Sequence, residues 1–123
     1  MVKIKFFLDT YALIEIIKGN NNYKRYLNAE LYTTIFNLYE LYYNLLRDYN
    51  KEYAKEMFNK FYTLLIEIKN EYIYLASKFK LDNKKSDISY TDALGYIIAK
   101  ESDMKFLTGD KEFKNLPNVE FVK

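Results

Sequence analysis

Two kinds of apolar pattern alternate along this chain. Val2–Leu8 (VKIKFFL) begins with apolar–polar alternation and closes in a solid apolar run, as expected of a strand covered on both faces. In Thr10–Lys18 (TYALIEIIK) the period changes: Leu13, Ile14 and Ile17 share one side of a helix, and Gly19 stands just past its end. A polar break at Asn20–Asn22 leads to a short helix near Tyr23–Leu27 and a short strand at Glu30–Ile35 (ELYTTI). Two firmer helices follow. Asn37–Tyr49 places Leu38, Leu41, Tyr42, Leu45 and Tyr49 at helical spacing, and Lys51–Ile66 does so through Tyr53, Met57, Phe58, Phe61 and Leu65. Leu65–Ile68 reads as a short third strand, Glu71–Phe79 as a helix, Leu81–Asp87 as a polar loop and Ser89–Lys100 as a mostly apolar helix. A strand at Met104–Leu107, a turn at Thr108–Asp110, a helical turn at Lys111–Leu116 and a strand at Val119–Val122 complete the chain.

Strands separated by helices, with apolar runs too short for anything but a buried sheet, predict an α/β fold with a mainly parallel sheet flanked by helices. A length of 123 residues suits one core, so residues 1–123 are expected to form one domain. Ligands of such sheets sit beyond the carboxyl ends of the strands, where the strand order reverses. Asp9 falls at such an end, in FFLDTY. A lone ionised carboxylate is costly to bury, so Asp9 must be a helix cap, a salt-bridge partner or a cation ligand.

Composition narrows the chemistry. The chain is 50% hydrophobic and 29% charged, which excludes a disordered class. No apolar run approaches the ~20 residues of a membrane span, so no membrane partner is expected. The N-terminus lacks the cleavage site of a secretory signal, and the absence of cysteine makes the cytoplasm the default compartment. Histidine is absent as well, which excludes Ser-His-Asp and Cys-His machinery and the usual zinc sites. Enzymatic chemistry would have to run on carboxylates, hydroxyls, lysine or a metal held by oxygen ligands. That points to Mg²⁺ or Mn²⁺, with Ca²⁺ also compatible. The net charge of +2 says little, and the 14 tyrosines fit either a nucleic-acid surface or ordinary packing.

Four acids stand out. Asp9 and Asp110 each follow an apolar strand and open a helical segment; Asp92 sits near the start of SYTDALGYIIA; Glu40 lies in NLYELYYNLL. Each has an ordinary explanation. Asp9 and Asp110 suit N-caps, Ser89-Tyr-Thr-Asp92 suits a capping box, and Glu40 shares a polar stripe with Asn37, Asn44 and Arg47. Taken together they are harder to dismiss. A parallel sheet brings such strand ends to one edge, where clustered carboxylates repel one another, and a hard divalent cation resolves the conflict.

FFLDTYALIEII, NLYELYYNLL, SYTDALGYIIA and FLTGDKEF resemble, in order and spacing, the four acidic blocks of PIN domains. They are most similar to the small archaeal and bacterial VapC-like toxins of toxin–antitoxin pairs, and DTYALIE resembles an archaeal subgroup. The resemblance implies a Mg²⁺- or Mn²⁺-dependent ribonuclease with Asp9, Glu40, Asp92 and Asp110 as its catalytic and metal-binding acids, supported by Thr108 and Glu112. It also implies a sheet ordered 3-2-1-4-5, a homodimer and a cognate antitoxin partner. Two positions depart from the family pattern: Tyr11 replaces a small polar residue, and Glu112 stands where Asp is common. With the four acids set aside, 13 acidic residues face 19 basic ones, an excess of six that suits an RNA phosphate backbone. Lys84, Lys85, Lys105 and Lys111 flank the later blocks as candidate phosphate contacts. The competing expectation is a non-catalytic PIN-like module for protein–protein or RNA binding.

Overall fold

The computed structural model describes residues 3–123, so Val2, at the start of the expected first strand, lies outside the described residues. β1 (Lys5–Leu8, KFFL) and β3 (Lys105–Thr108, KFLT) run side by side and parallel, with Phe7 opposite Phe106 and Leu8 opposite Leu107. Successive side chains point to opposite faces of a strand. Phe6, Leu8 and Leu107 therefore enter one hydrophobic core, and Phe7 and Phe106 enter the other. Both faces are covered, which is why these strands read as unbroken apolar runs.

β2 (Glu30–Tyr32) pairs with the outer edge of β1 and β4 (Val119–Phe121) with that of β3, giving a parallel four-stranded sheet ordered β2-β1-β3-β4. On one face, α1 (Thr10–Ile17), α2 (Ile35–Asp48), α3 (Lys51–Tyr62) and the 3-10 segment Asn21–Asn28 bury Leu13, Leu38, Leu41, Leu45, Phe61, Tyr23 and Tyr26. On the other, α4 (Asn70–Asp82) and α5 (Tyr90–Glu101) cover the sheet with Tyr72, Ala76, Tyr96 and Ile98. Gly95 permits the close approach of α5, since a Cβ there would stand 2.6 Å from the Phe7 ring. A 3-10 turn, Lys111–Phe113, joins β3 to β4. Among the described residues, no helix is long and apolar enough to cross a membrane.

Among the described residues the expected five-strand order 3-2-1-4-5 is corrected to four strands. Thr34 N-caps α2 by accepting the Asn37 N–H, so the segment expected to be extended through Ile35 turns helical at its end. Thr33 alone remains to pair outward. It makes a single parallel bridge with Leu65, donating to Leu64 O and accepting from Ile66 N at 3.0 Å each. Leu64 and Leu65 are meanwhile held by the last turn of α3, through Phe61 O and Tyr62 O, so Leu65–Ile68 does not extend into a strand.

The chain leaves β1 toward β2 on one side, while β3 lies on the other. The crevice at the carboxyl ends of β1 and β3 is therefore the switch point of the sheet. Asp9 and Asp110 follow those two strand ends.

Candidate active site

Asp9 ends β1 and caps α1: its Oδ1 accepts the Ala12 N–H at 2.8 Å. Its Oδ2 accepts the hydroxyl of Thr108, the last residue of β3. With 2% of its surface exposed, Asp9 is pushed up to about 7, mainly by burial. The Thr108 and Ala12 hydrogen bonds oppose the shift, and the charges of Asp92 and Asp110 add to it. No Lys or Arg pairs with this carboxylate among the described residues.

Thr108 ties the first acidic block to the last. While donating to Asp9, its oxygen accepts the Asp110 N–H at 3.0 Å. Asp110 in turn caps the following 3-10 turn by accepting the Glu112 N–H at 3.0 Å. Glu112 thus enters the arrangement through its backbone. Asp92 occupies the third position of α5, where Ser89 caps the helix by accepting the Asp92 N–H at 3.1 Å. Burial pushes Asp92 up to about 6; Ser89 hydrogen bonds oppose the shift, and the charges of Asp110 and Glu40 reinforce it. Glu40, half-buried on α2, takes the Thr10 hydroxyl on Oε1 at 2.6 Å.

The expected acids are therefore brought within electrostatic reach of one another: Asp9 feels Asp92 and Asp110, and Asp92 feels Asp110 and Glu40. Asp9 and Asp110 are also the N-caps that their local sequence predicts. Among the described residues, however, no three of them form a ready-made ligand set. Asp9, Glu40 and Asp110 each hold a hydrogen-bond donor of their own. The donor chemistry nevertheless suits a hard divalent ion, because every group offered is oxygen and two carboxyls carry raised pKa values that a cation would lower.

Two contributors are not among the expected site residues: Thr10 and Asn37. Asn37 shares the polar stripe of Glu40 in the sequence, but it is fully buried. The signal was its spacing, four residues before Leu41 and eight before Leu45, on the buried face of α2. Tyr11 also finds a structural reason. A Cβ at Gly109 would stand 2.1 Å from its ring, so the bulky side chain sits where the TGD turn has none. Lys84, Lys85, Lys105 and Lys111 are all exposed.

The PIN domain family profile matches residues 6–119. Among solved structures, VapC20 of Mycobacterium tuberculosis, described as a sarcin-ricin loop cleaving toxin, superposes with a TM-score of 0.78 at 15% identity, covering 95% of this chain and 96% of that one. VapBC of Salmonella typhimurium, bound to DNA, gives 0.75 at 18% identity, with 97% of each chain covered. VapBC2 of Rickettsia felis, bound to a DNA fragment from its promoter, gives 0.74 at 21%, with 97% and 98% covered. No curated protein sequence matches significantly. At these identities the likeness to solved structures speaks for the fold, whereas the profile match runs through all four acidic blocks, and on that ground the chain belongs to the PIN-domain family.

Proposed function

We propose that this chain is a metal-dependent endoribonuclease that hydrolyses RNA phosphodiester bonds, with residues 1–123 acting as one nuclease domain. The observation that carries the reading is the pair of carboxyls, buried Asp9 and half-buried Asp92, raised by desolvation and by the neighbouring acids at the switch point of a parallel sheet. Asp9, Asp92 and Asp110 would hold Mg²⁺ or Mn²⁺, with Glu40 as a further ligand or as the group that orients the attacking water. Such a cation, when bound, supplies an activated water and neutralises charge on the phosphate. Near neutral pH, Asp9 and Asp92 hold protons part of the time and give them up on loading. Thr108 fixes one oxygen of Asp9 and the backbone of Asp110 together, so the ends of β1 and β3 present their acids as a unit.

Related structures are a toxin–antitoxin complex from Klebsiella pneumoniae and VapBC-1 from nontypeable Haemophilus influenzae. They support the reading of a toxin of the VapBC type with a cognate antitoxin partner, and action in the cytoplasm as a homodimer is part of the same proposal. The test is RNA cleavage with Mn²⁺ or Mg²⁺ and with EDTA, followed by analysis of the ends. Attack by water predicts 5′-phosphate and 3′-hydroxyl ends, loss of cleavage with EDTA, and at least a ~100-fold loss in Asp9→Asn, Asp92→Asn and Asp110→Asn. Ends bearing 2′,3′-cyclic phosphate would overturn the mechanism. A pure chain that cuts no RNA with Mn²⁺ would return the protein to the non-catalytic binding module.

A further inference from the structure

Asn37 and Glu40 are one helical turn apart on α2, but they are linked through Thr10 on α1. Thr10 Oγ1 accepts from Asn37 Nδ2 at 3.1 Å and donates to Glu40 Oε1 at 2.6 Å. Asn37 Oδ1 accepts the Thr34 hydroxyl at 2.6 Å, and the Asn37 backbone N–H donates to that same Thr34 oxygen at 3.2 Å. Every side-chain donor in this relay points toward Glu40: Thr34 to Asn37, Asn37 to Thr10, Thr10 to the carboxylate. Successive bonds of this kind polarise one another, and the last ends on an acid, where hydrogen bonds are strongest.

The direction of the relay is imposed. Were the Asn37 amide turned over, its carbonyl would face Thr10 Oγ1, and the Thr10 hydroxyl would have to turn from Glu40 to satisfy it. Packing alone does not call for an amide here either. Asn37 is fully buried on the same face of α2 as Leu38, Leu41 and Leu45, where a leucine would raise no demand for hydrogen bonds.

We propose that Asn37 is a positioning residue that sets the Glu40 carboxylate by fixing the Thr10 hydroxyl, an inference that rests on the nuclease reading above. Asn37 touches no substrate; it leaves Thr10 one acceptor to donate to, and so holds Glu40 at one place beside Asp92.

Asn37→Leu is expected to lower kcat by about 10–100-fold with KM within about twofold, as removal of a supporting hydrogen bond commonly does. Thr10→Val should do the same and Thr10→Ser, which keeps the hydroxyl, should restore activity. Because the effect runs through Thr10, Asn37→Leu should cost nothing further in a Thr10→Val or Glu40→Ala background. A second readout needs neither metal nor activity. Three-bond couplings to the Thr10 γ-methyl in the metal-free protein should report one χ1 rotamer in the wild type and averaging in Asn37→Leu. An Asn37→Leu chain that keeps a fixed Thr10 rotamer, or a loss of activity undiminished in the Glu40→Ala background, overturns the proposal. If Asn37→Leu does not fold, the Thr10→Val and Thr10→Ser pair decides it, and equal activities overturn it. A wild type inactive on RNA overturns the nuclease reading instead, and the rotamer measurement then judges the Asn37–Thr10 link alone.

Discussion

The Asp9 carboxyl receives one hydrogen bond from the Ala12 amide and another from the Thr108 hydroxyl, which together would lower its pKa, yet burial and two neighbouring acids push it up to about 7. The consequence for stability has a definite sign. In the unfolded chain the proton leaves near 3.8, whereas in the fold it stays until about 7, so between those values the native state binds more protons. The contribution of this group is complete below about pH 4 and is lost as pH rises through 7. Asp92, raised to about 6, acts in the same direction. Asp9→Asn keeps a side-chain oxygen for the Ala12 amide, since Asn caps about as well as Asp, but it removes the titration. The metal-free variant should therefore gain on the wild type as pH rises from 4 to 7, by on the order of a few kcal/mol at the upper end. Stabilisation of the wild type by millimolar Mn²⁺ should shrink or vanish in the variant. Melting curves with EDTA and with Mn²⁺, taken across that pH range, measure both effects. Parallel pH profiles for the two proteins and undiminished Mn²⁺ stabilisation would make Asp9 an ordinary cap.

Helix starts carry most of the candidate site. Asp9, Ser89 and Asp110 each occupy an N-cap, and Thr34 begins the helix that carries Glu40. The caps at Asp9, Ser89 and Asp110 were legible because a cap is a local event, readable from a polar residue ahead of an apolar period, whereas Thr34 falls inside an expected strand. What was not legible depended on partners far along the chain. The expected strand at Leu65–Ile68 shrank to a bridge because Thr34 stops the neighbouring segment one residue after Thr33, a limit set some thirty residues away. The role of Asn37 was hidden because its partner Thr10 lies on another helix. The position of α5 likewise depends on a contact remote in sequence. A methyl at residue 95 would come within 2.6 Å of the Phe7 ring and 3.2 Å of the Phe106 ring. Gly→Ala inside an exposed helix gains roughly 1 kcal/mol from propensity, whereas overpacking a filled core costs about 1–3 kcal/mol. Gly95→Ala should therefore destabilise the protein by about 1 kcal/mol or more in urea unfolding, with the m-value unchanged. A stabilised variant would mean that α5 can lift from the sheet at little cost.

At the scale of the molecule, the parallel α/β arrangement and the convergence of Asp9 and Asp110 followed from the order of elements, because a parallel sheet delivers its strand ends to one edge. The tyrosines could not be assigned that way, since burial depends on which face of a helix meets the core. Tyr23, Tyr26, Tyr72 and Tyr96 are buried. Tyr39 and Tyr43 are 72% and 60% exposed and lie on α2 with exposed Ile35, Phe36 and Leu46, across from the buried Leu38, Leu41 and Leu45. A helix apolar on both sides usually has a second surface to cover. The expected homodimer should use this face of α2. A specific dimer of standard size buries about 800 Å² on each partner and persists well below micromolar concentration. Sedimentation equilibrium at about 10 μM should then return the dimer mass. Tyr39→Lys combined with Tyr43→Lys should return the monomer mass, because two unpaired charges would be desolvated in the contact while the fold, which leaves both positions exposed, is spared. A wild type monomeric at about 100 μM would reject the dimer itself. A doubly substituted chain that stays dimeric would move the contact off α2 and onto the exposed Ile73, Tyr74 and Leu75 of α4.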